Sequence, residues 1–131
     1  MKDIEALVID DDLQMRLTVE SVLEGEGFSA RFAATAEEGL EVAKGRHFEV
    51  VLLDLHLPGM NGLEMLTSLR DLPQPPETVV LTGWPDLDTA VEAIKLGAYD
   101  YLSKPFDAFK VVSTLKNAAA KYRLRRENAA L

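Results

Sequence analysis

Short apolar, β-branched runs alternate along this chain with longer segments of helical period, and that alternation constrains the fold more than any other feature. Strands separated by helices do not close hairpins; they build a parallel sheet from repeated βα units. The runs are residues 5–9, 29–33, 48–53, 78–81 and 98–102, giving five strands. The third has no polar alternation and is expected to be buried on both faces, hence central. The helical segments are 13–26, with Met15, Val19, Val22 and Leu23 on one face; one opened by Thr35 and ending near Gly45; 63–72; one capped by Asp86 and ending at Leu96; and a last one from Ala108 almost to the end. Glu38, three residues after Thr35, has the spacing of a capping box. Gly25, Gly27 and Gly97 suit helix ends, and Pro73, Pro75 and Pro76 forbid continuation of the third helix.

Both of the chain's notable acidic features stand at the ends of such runs. Leu7-Val8-Ile9 leads into Asp10-Asp11-Asp12, and Val50-Val51-Leu52-Leu53 leads into Asp54. The carboxyl edge of an open parallel sheet is where ligands bind, so these acids belong to one candidate site. Thr82 after the fourth strand and Lys104 after the fifth fall at the same edge. Magnesium takes oxygen ligands and keeps several waters, so Asp11, Asp54 and the backbone carbonyl of His56 are enough protein for it. Asp54 is then placed to attack phosphorus, with the new group's oxygens met by the metal, by the Thr82 hydroxyl or nearby N–H groups, and by the Lys104 ammonium.

Composition narrows the function classes. A chain of 131 residues is one domain in size and buries roughly two thirds of its unfolded surface. With no cysteine it has neither a disulfide framework nor a thiolate site, and a reducing cytoplasm is the expected location. The start Met1-Lys2-Asp3-Ile4-Glu5 has no export signature, and no apolar stretch approaches the ~20 residues that span a bilayer. A net charge of -8 should repel nucleic acid and anionic lipid. The segment 121–131 is different in kind: basic, polar and sparsely apolar. It is expected to leave the globule as a helical extension, a linker or half of a coiled coil, after a domain spanning 1–120.

Taken jointly, Asp10-Asp11 after a strand, Asp54 ahead of Leu57-Pro58-Gly59-Met60-Asn61-Gly62, Thr82-Gly83 and Lys104-Pro105-Phe106 resemble the receiver domains of two-component response regulators. The resemblance covers roughly residues 4–120. It implies a flavodoxin-like (βα)5 doubly wound parallel sheet of strand order 2-1-3-4-5, and a switch rather than a turnover enzyme. It also implies a sensor histidine kinase as phosphoryl donor, Asp54 as acceptor, Asp10 and Asp11 as the acidic pair for Mg2+, and Lys104 as the phosphate-facing lysine. Thr82 becomes the switch hydroxyl, Tyr101 the aromatic that turns inward, and the Lys104-Pro105 peptide is expected cis. Arg16 stands where receivers often carry a basic residue and sets Asp10 and Asp11 as the matched pair, leaving Asp12 at the loop's mouth. The face of the fourth helix, fifth strand and fifth helix, near Leu87, Val91, Ile94 and Tyr99, or else the C-terminal helix, is the expected dimer or partner surface. The tail and Gly97-Ala98-Tyr99-Asp100-Tyr101 resemble receivers that precede an ATPase domain in enhancer-binding transcription activators.

Two positions depart from the commonest family pattern, His56 and Trp84, and are read as setting the phosphoaspartate's lifetime. Two rival readings stand beside the receiver. A haloacid-dehalogenase-like phosphatase also uses a strand-end aspartate, magnesium and a lysine, but wants a second aspartate, as general acid, two residues after the nucleophile, where His56 stands, and a cap domain, which is not expected here. An unphosphorylated interaction module with the same fold is the other.

Overall fold

The computed structural model describes residues 2–83 and 87–130, so Trp84 and the cap expected at Asp86 lie outside the described residues. The strands are β1 (Ile4–Ile9), β2 (Phe28–Ala33), β3 (Val50–Leu53), β4 (Glu77–Thr82) and β5 (Asp100–Ser103). They form one parallel sheet in the order β2-β1-β3-β4-β5, as expected. Between and after them run α1 (Leu13–Leu23), α2 (Ala36–Gly45), α3 (Gly62–Arg70), α4 (Leu87–Lys95) and α5 (Ala108–Ala130).

Alternation of side chains along the inner strands divides the core in two. Leu7, Ile9, Val51, Leu53 and Val80 pack with Ala36, Met65, Leu66, Leu69 and Ala93 of α2, α3 and α4. Ala6, Val8, Val50, Leu52, Val79 and Leu81 face the other way, onto Val19 and Leu23 of α1 and Val111, Leu115, Ala118 and Ala119 of α5. Every residue of β3 and β4 is buried, which is why Val50–Leu53 and the centre of β4, Val79-Val80-Leu81, read as apolar without alternation.

Helix ends follow the local chemistry. The Thr35 hydroxyl accepts from the Glu38 N–H, while Glu38 reaches back to the Ala34 N–H rather than to Thr35 itself. The first helix stops at Leu23, three residues earlier than expected, because Glu24 is already extended and Gly25 turns at φ 76°. At the end of α4, Gly97 takes φ 105° and the N–H groups of Gly97 and Ala98 bond to the Ile94 and Ala93 carbonyls, a Schellman closure.

The expected departure of the chain at residue 121 is corrected by the structure. The last helix is continuous over 23 residues, and its later turns lie against the amino-terminal edge of the sheet. Tyr122 is buried, Arg123 pairs with Glu49, Arg125 with Glu77, and Arg126 donates to the Gln74 side chain. A sparse apolar stripe suggested a free helix, but long basic side chains dock as well as apolar ones by laying their stems on the protein and turning their heads to acids and carbonyls.

Candidate functional site

The sheet register sets the site. Ile9 stands opposite Leu53, so the next residues, Asp10 and Asp54, leave adjacent central strands at one level. The Asp54 N–H donates to the Ile9 carbonyl and the Asp10 N–H to that of Ala33, which extends the ladder through both acids. Both are buried, at 4% and 7% exposure. On the far side Thr82, fully buried, ends β4 opposite Ser103, and the Lys104 N–H donates to the Thr82 carbonyl at 2.9 Å. The Lys104-Pro105 peptide is cis.

These placements bring the ammonium of Lys104 to 2.8 Å from Asp10 Oδ2 and 3.3 Å from Asp54 Oδ2. The acidic triplet divides its labour. Asp10 lies in the site, Asp11 stands exposed at its mouth, and Asp12 accepts from the Gln14 N–H as the N-cap of α1. Carboxylate oxygens of Asp10, Asp11 and Asp54 lie within 4.8 Å of one another. Asp54 Oδ1 accepts the His56 N–H at 3.0 Å, a short turn that fixes the carboxylate's plane, while the His56 side chain is exposed. The loop that follows passes so close to α3 that a Cβ on Gly62 would lie 2.4 Å from the Leu55 Cα, which accounts for the glycine. Tyr101, opposite Val80 in β5, is half-buried and packs against the core of the α3 and α4 face.

The electrostatics are those of a site short of positive charge. Burial pushes the Asp10 carboxyl above its ordinary value, outweighing the hydrogen bonds from Lys104 and the Asp12 N–H. Burial opposes the charge on Lys104 too, yet Asp10 and Asp54 together hold that group above its ordinary value. Three convergent carboxylates, all oxygen donors and without a thiolate or imidazole among them, suit a hard divalent cation such as magnesium. Such an ion would cancel their mutual repulsion.

The site includes one bond the sequence did not disclose: Arg16 Nη1 donates to the backbone carbonyl of Asp10 at 2.8 Å. The receiver resemblance marked Arg16 as a basic position, but the i, i+6 spacing from a strand end into a helix's first turns was the one trace of this contact. The acids that hold the tail, Glu49 and Glu77, also went unread, although each stands at the amino-terminal side of a central strand.

Comparison with known proteins agrees with this geometry. The family description "Response regulator receiver domain" matches residues 6–116. Nitrogen assimilation regulatory protein NtrX of Azorhizobium caulinodans is 39% identical over 126 residues, 94% of this chain and 28% of that protein. Transcriptional regulatory protein ZraR of Klebsiella oxytoca is 34% identical over 123 residues, again 94% of this chain and 28% of the relative. The chain thus spans little more than a quarter of the length of these curated relatives. Among solved structures, a CheY-like receiver domain protein from Methanospirillum hungatei superposes with TM-score 0.87 at 28% identity, covering 95% of this chain and 99% of its own. A Burkholderia pseudomallei response regulator, described with a phosphorylated aspartic acid, a calcium ion and citrate, gives TM-score 0.81 at 35% identity, over 95% of this chain and 73% of its own. Family match, strand order and the acid-lysine cluster agree: the chain belongs to the response regulator receiver domain family.

Proposed function

We propose that Asp54 accepts the phosphoryl group, from the phosphohistidine of a sensor histidine kinase, and that the acquired group switches the domain's surface. The observation that carries this reading is the convergence of Asp10, Asp11 and Asp54 with an ammonium in contact with both buried members. In the transfer a carboxylate oxygen of Asp54 forms an O–P bond as the donor's P–N bond breaks, and the electron pair returns to the imidazole nitrogen. Asp10 and Asp11, with Asp54 and the His56 carbonyl, would hold Mg2+, which when bound supplies positive charge to the phosphoryl oxygens. Lys104 neutralises the remaining charge, moving its contact from Asp54 to the phosphoryl group. The transfer needs no general acid or base, the domain acts as a slowly self-resetting switch rather than a turnover enzyme, and the phosphatase reading lacks the second aspartate it needs two residues after Asp54, where His56 stands.

The switch runs through Thr82, whose hydroxyl follows the phosphoryl group, and Tyr101, which takes up the space it leaves. His56 and Trp84 set how long the phosphoaspartate lasts by hindering an attacking water. The altered face includes the exposed Leu87, Val91 and Ile94 of α4, the surface for a partner or a second copy; the C-terminal helix is the other dimer candidate. Taken as a receiver domain of 1–120 with its helical extension 121–131, the chain serves a transcription regulator of the enhancer-binding kind in the cytoplasm. It makes no nucleic-acid contact of its own and none with membrane; among the described residues no helix is long and apolar enough to cross one.

Intact mass after incubation with acetyl phosphate and magnesium tests the acceptor. A single labile phosphoryl adduct is expected in the wild type and absent in Asp54→Asn; equal labelling of both would overturn the assignment.

A further inference from the structure

We infer that Arg16 is a positioning residue for the exposed metal ligand Asp11, acting through the backbone of Asp10; this rests on the magnesium site proposed above. The peptide unit is planar, so whatever holds the Asp10 carbonyl also orients the Asp11 N–H. Arg16 Nη1 holds that carbonyl at 2.8 Å. The next peptide unit is held too, because the Asp12 N–H donates to Asp10 Oδ1 at 3.0 Å. With the planes on both sides of its Cα fixed, Asp11 has a set φ and ψ, and its carboxylate is aimed from the backbone although its side chain stands in solvent. Asp10 itself is anchored by its N–H on the Ala33 carbonyl and its Oδ2 on Lys104, so the pinning starts from a rigid base.

Two further bonds at this turn, from the Gln14 N–H to Asp12 Oδ1 and from the Arg16 N–H to the Asp12 carbonyl, act beyond Asp11 and leave the Asp10-Asp11 plane free to rotate. Arg16 is half-buried and sits one turn into α1, where the helix backbone fixes its Cα. Its charge works against the role: a cation near a divalent metal weakens binding, whereas an ordered ligand strengthens it. The two effects have opposite signs on the magnesium affinity, and that makes the inference decidable.

The experiment is calorimetric titration of the full chain with magnesium chloride, for wild type, Arg16→Met, Arg16→Gln and Arg16→Lys, together with amide exchange of Asp11 and Asp12 in EDTA. Loss of an outer-shell partner typically costs 10-fold or more in metal affinity, so Met and Gln should weaken binding by about 10-fold, while Lys, which keeps charge and one donor, should stay within about threefold of wild type. In EDTA the Asp12 amide should exchange faster in the Met and Gln variants, a reading that needs no metal. Binding by Met or Gln as tight as wild type, or tighter, would overturn the inference. So would unchanged affinity with slower phosphorylation at saturating magnesium, which would put Arg16 on the phosphoryl group instead. A wild type that binds no magnesium would sink the proposed site itself.

Discussion

Asp10 is the residue on which the site's energetics turn. Its folded carboxyl titrates above the ordinary 3.8, chiefly through burial, so between those two values the folded state holds a proton that the unfolded chain has lost. Stability therefore falls as pH rises through that window, and at neutral pH the ionised Asp10 is a standing cost. Metal-free Asp10→Asn should accordingly melt higher than wild type at pH 7, while gaining far less from added magnesium; thermal unfolding in EDTA and in magnesium chloride reads both, and a lower midpoint in EDTA would contradict the account. Lys104 has the opposite sense. Held above 10.5 by its two acids, it contributes stability that is full below that value and lost as pH rises through its folded value. Lys104→Met should destabilise the metal-free chain by about 1–3 kcal/mol, since it leaves two buried carboxylates unpaired. It should also tighten magnesium, because the ammonium no longer competes for Asp10 Oδ2 and Asp54 Oδ2. Weaker magnesium binding in Lys104→Met would count against that competition.

The helix α5 shows what could and could not be read along the chain. Its start at Ala108 behind Asp107 and its great length follow from periodicity and capping. Its docking does not, because the partners of Arg123 and Arg125 are far away in sequence and are chosen by the sheet, not by local pattern. The site was legible for the opposite reason: Asp10, Asp54, Thr82 and Lys104 each sit where an apolar run stops, and a parallel sheet gathers such positions at one edge. Arg16 was noticed by its place in the receiver pattern, but its bond was not, because a guanidinium on a backbone carbonyl leaves no pairing of opposite charges to notice. For the tail itself, burial pushes the Glu49 carboxyl up, but the hydrogen bonds from Arg123 and the Glu5 N–H, with the Arg123 charge, together keep it below its ordinary 4.5. That contribution is present above 4.5 and lost as pH falls through the folded value. Amide exchange across residues 121–129, corrected for its intrinsic rate, should thus loosen in acid. At pH 7 Glu77→Gln should loosen it as well, since Glu77 is 4% exposed and partners both Arg125 and Lys121. Unchanged protection in Glu77→Gln would show the ion pairs to be incidental to a helix held by Tyr122.

Across the whole molecule, chemistry and tail lie at opposite ends of the same strands. The strand β4 joins them, from Glu77 under the tail to Thr82 beside the acids, and at about 3.3 Å per residue that is a span of roughly 16 Å. A strand buried along its whole length between two helical layers deforms little, because close-packed interiors rearrange between discrete packings rather than stretch. The exposed, half-packed elements at the carboxyl edge are a different matter: α4 has Ala93 as its buried residue while Leu87, Val91 and Ile94 face solvent. Lightly packed segments are the ones that open and move at low cost. Phosphorylation of Asp54 should therefore change amide protection across Leu87–Lys95 and Asp100–Ser103 by severalfold, yet leave residues 121–129 as they were, so that the tail remains a rigid mount while the face above it changes. Amide exchange with acetyl phosphate and magnesium, against Asp54→Asn under the same conditions, distinguishes the alternatives. If the tail loosened on phosphorylation as far as it does in Glu77→Gln, the signal would be travelling down β4 to the ion pairs at its base, and the division between moving face and fixed mount would be wrong.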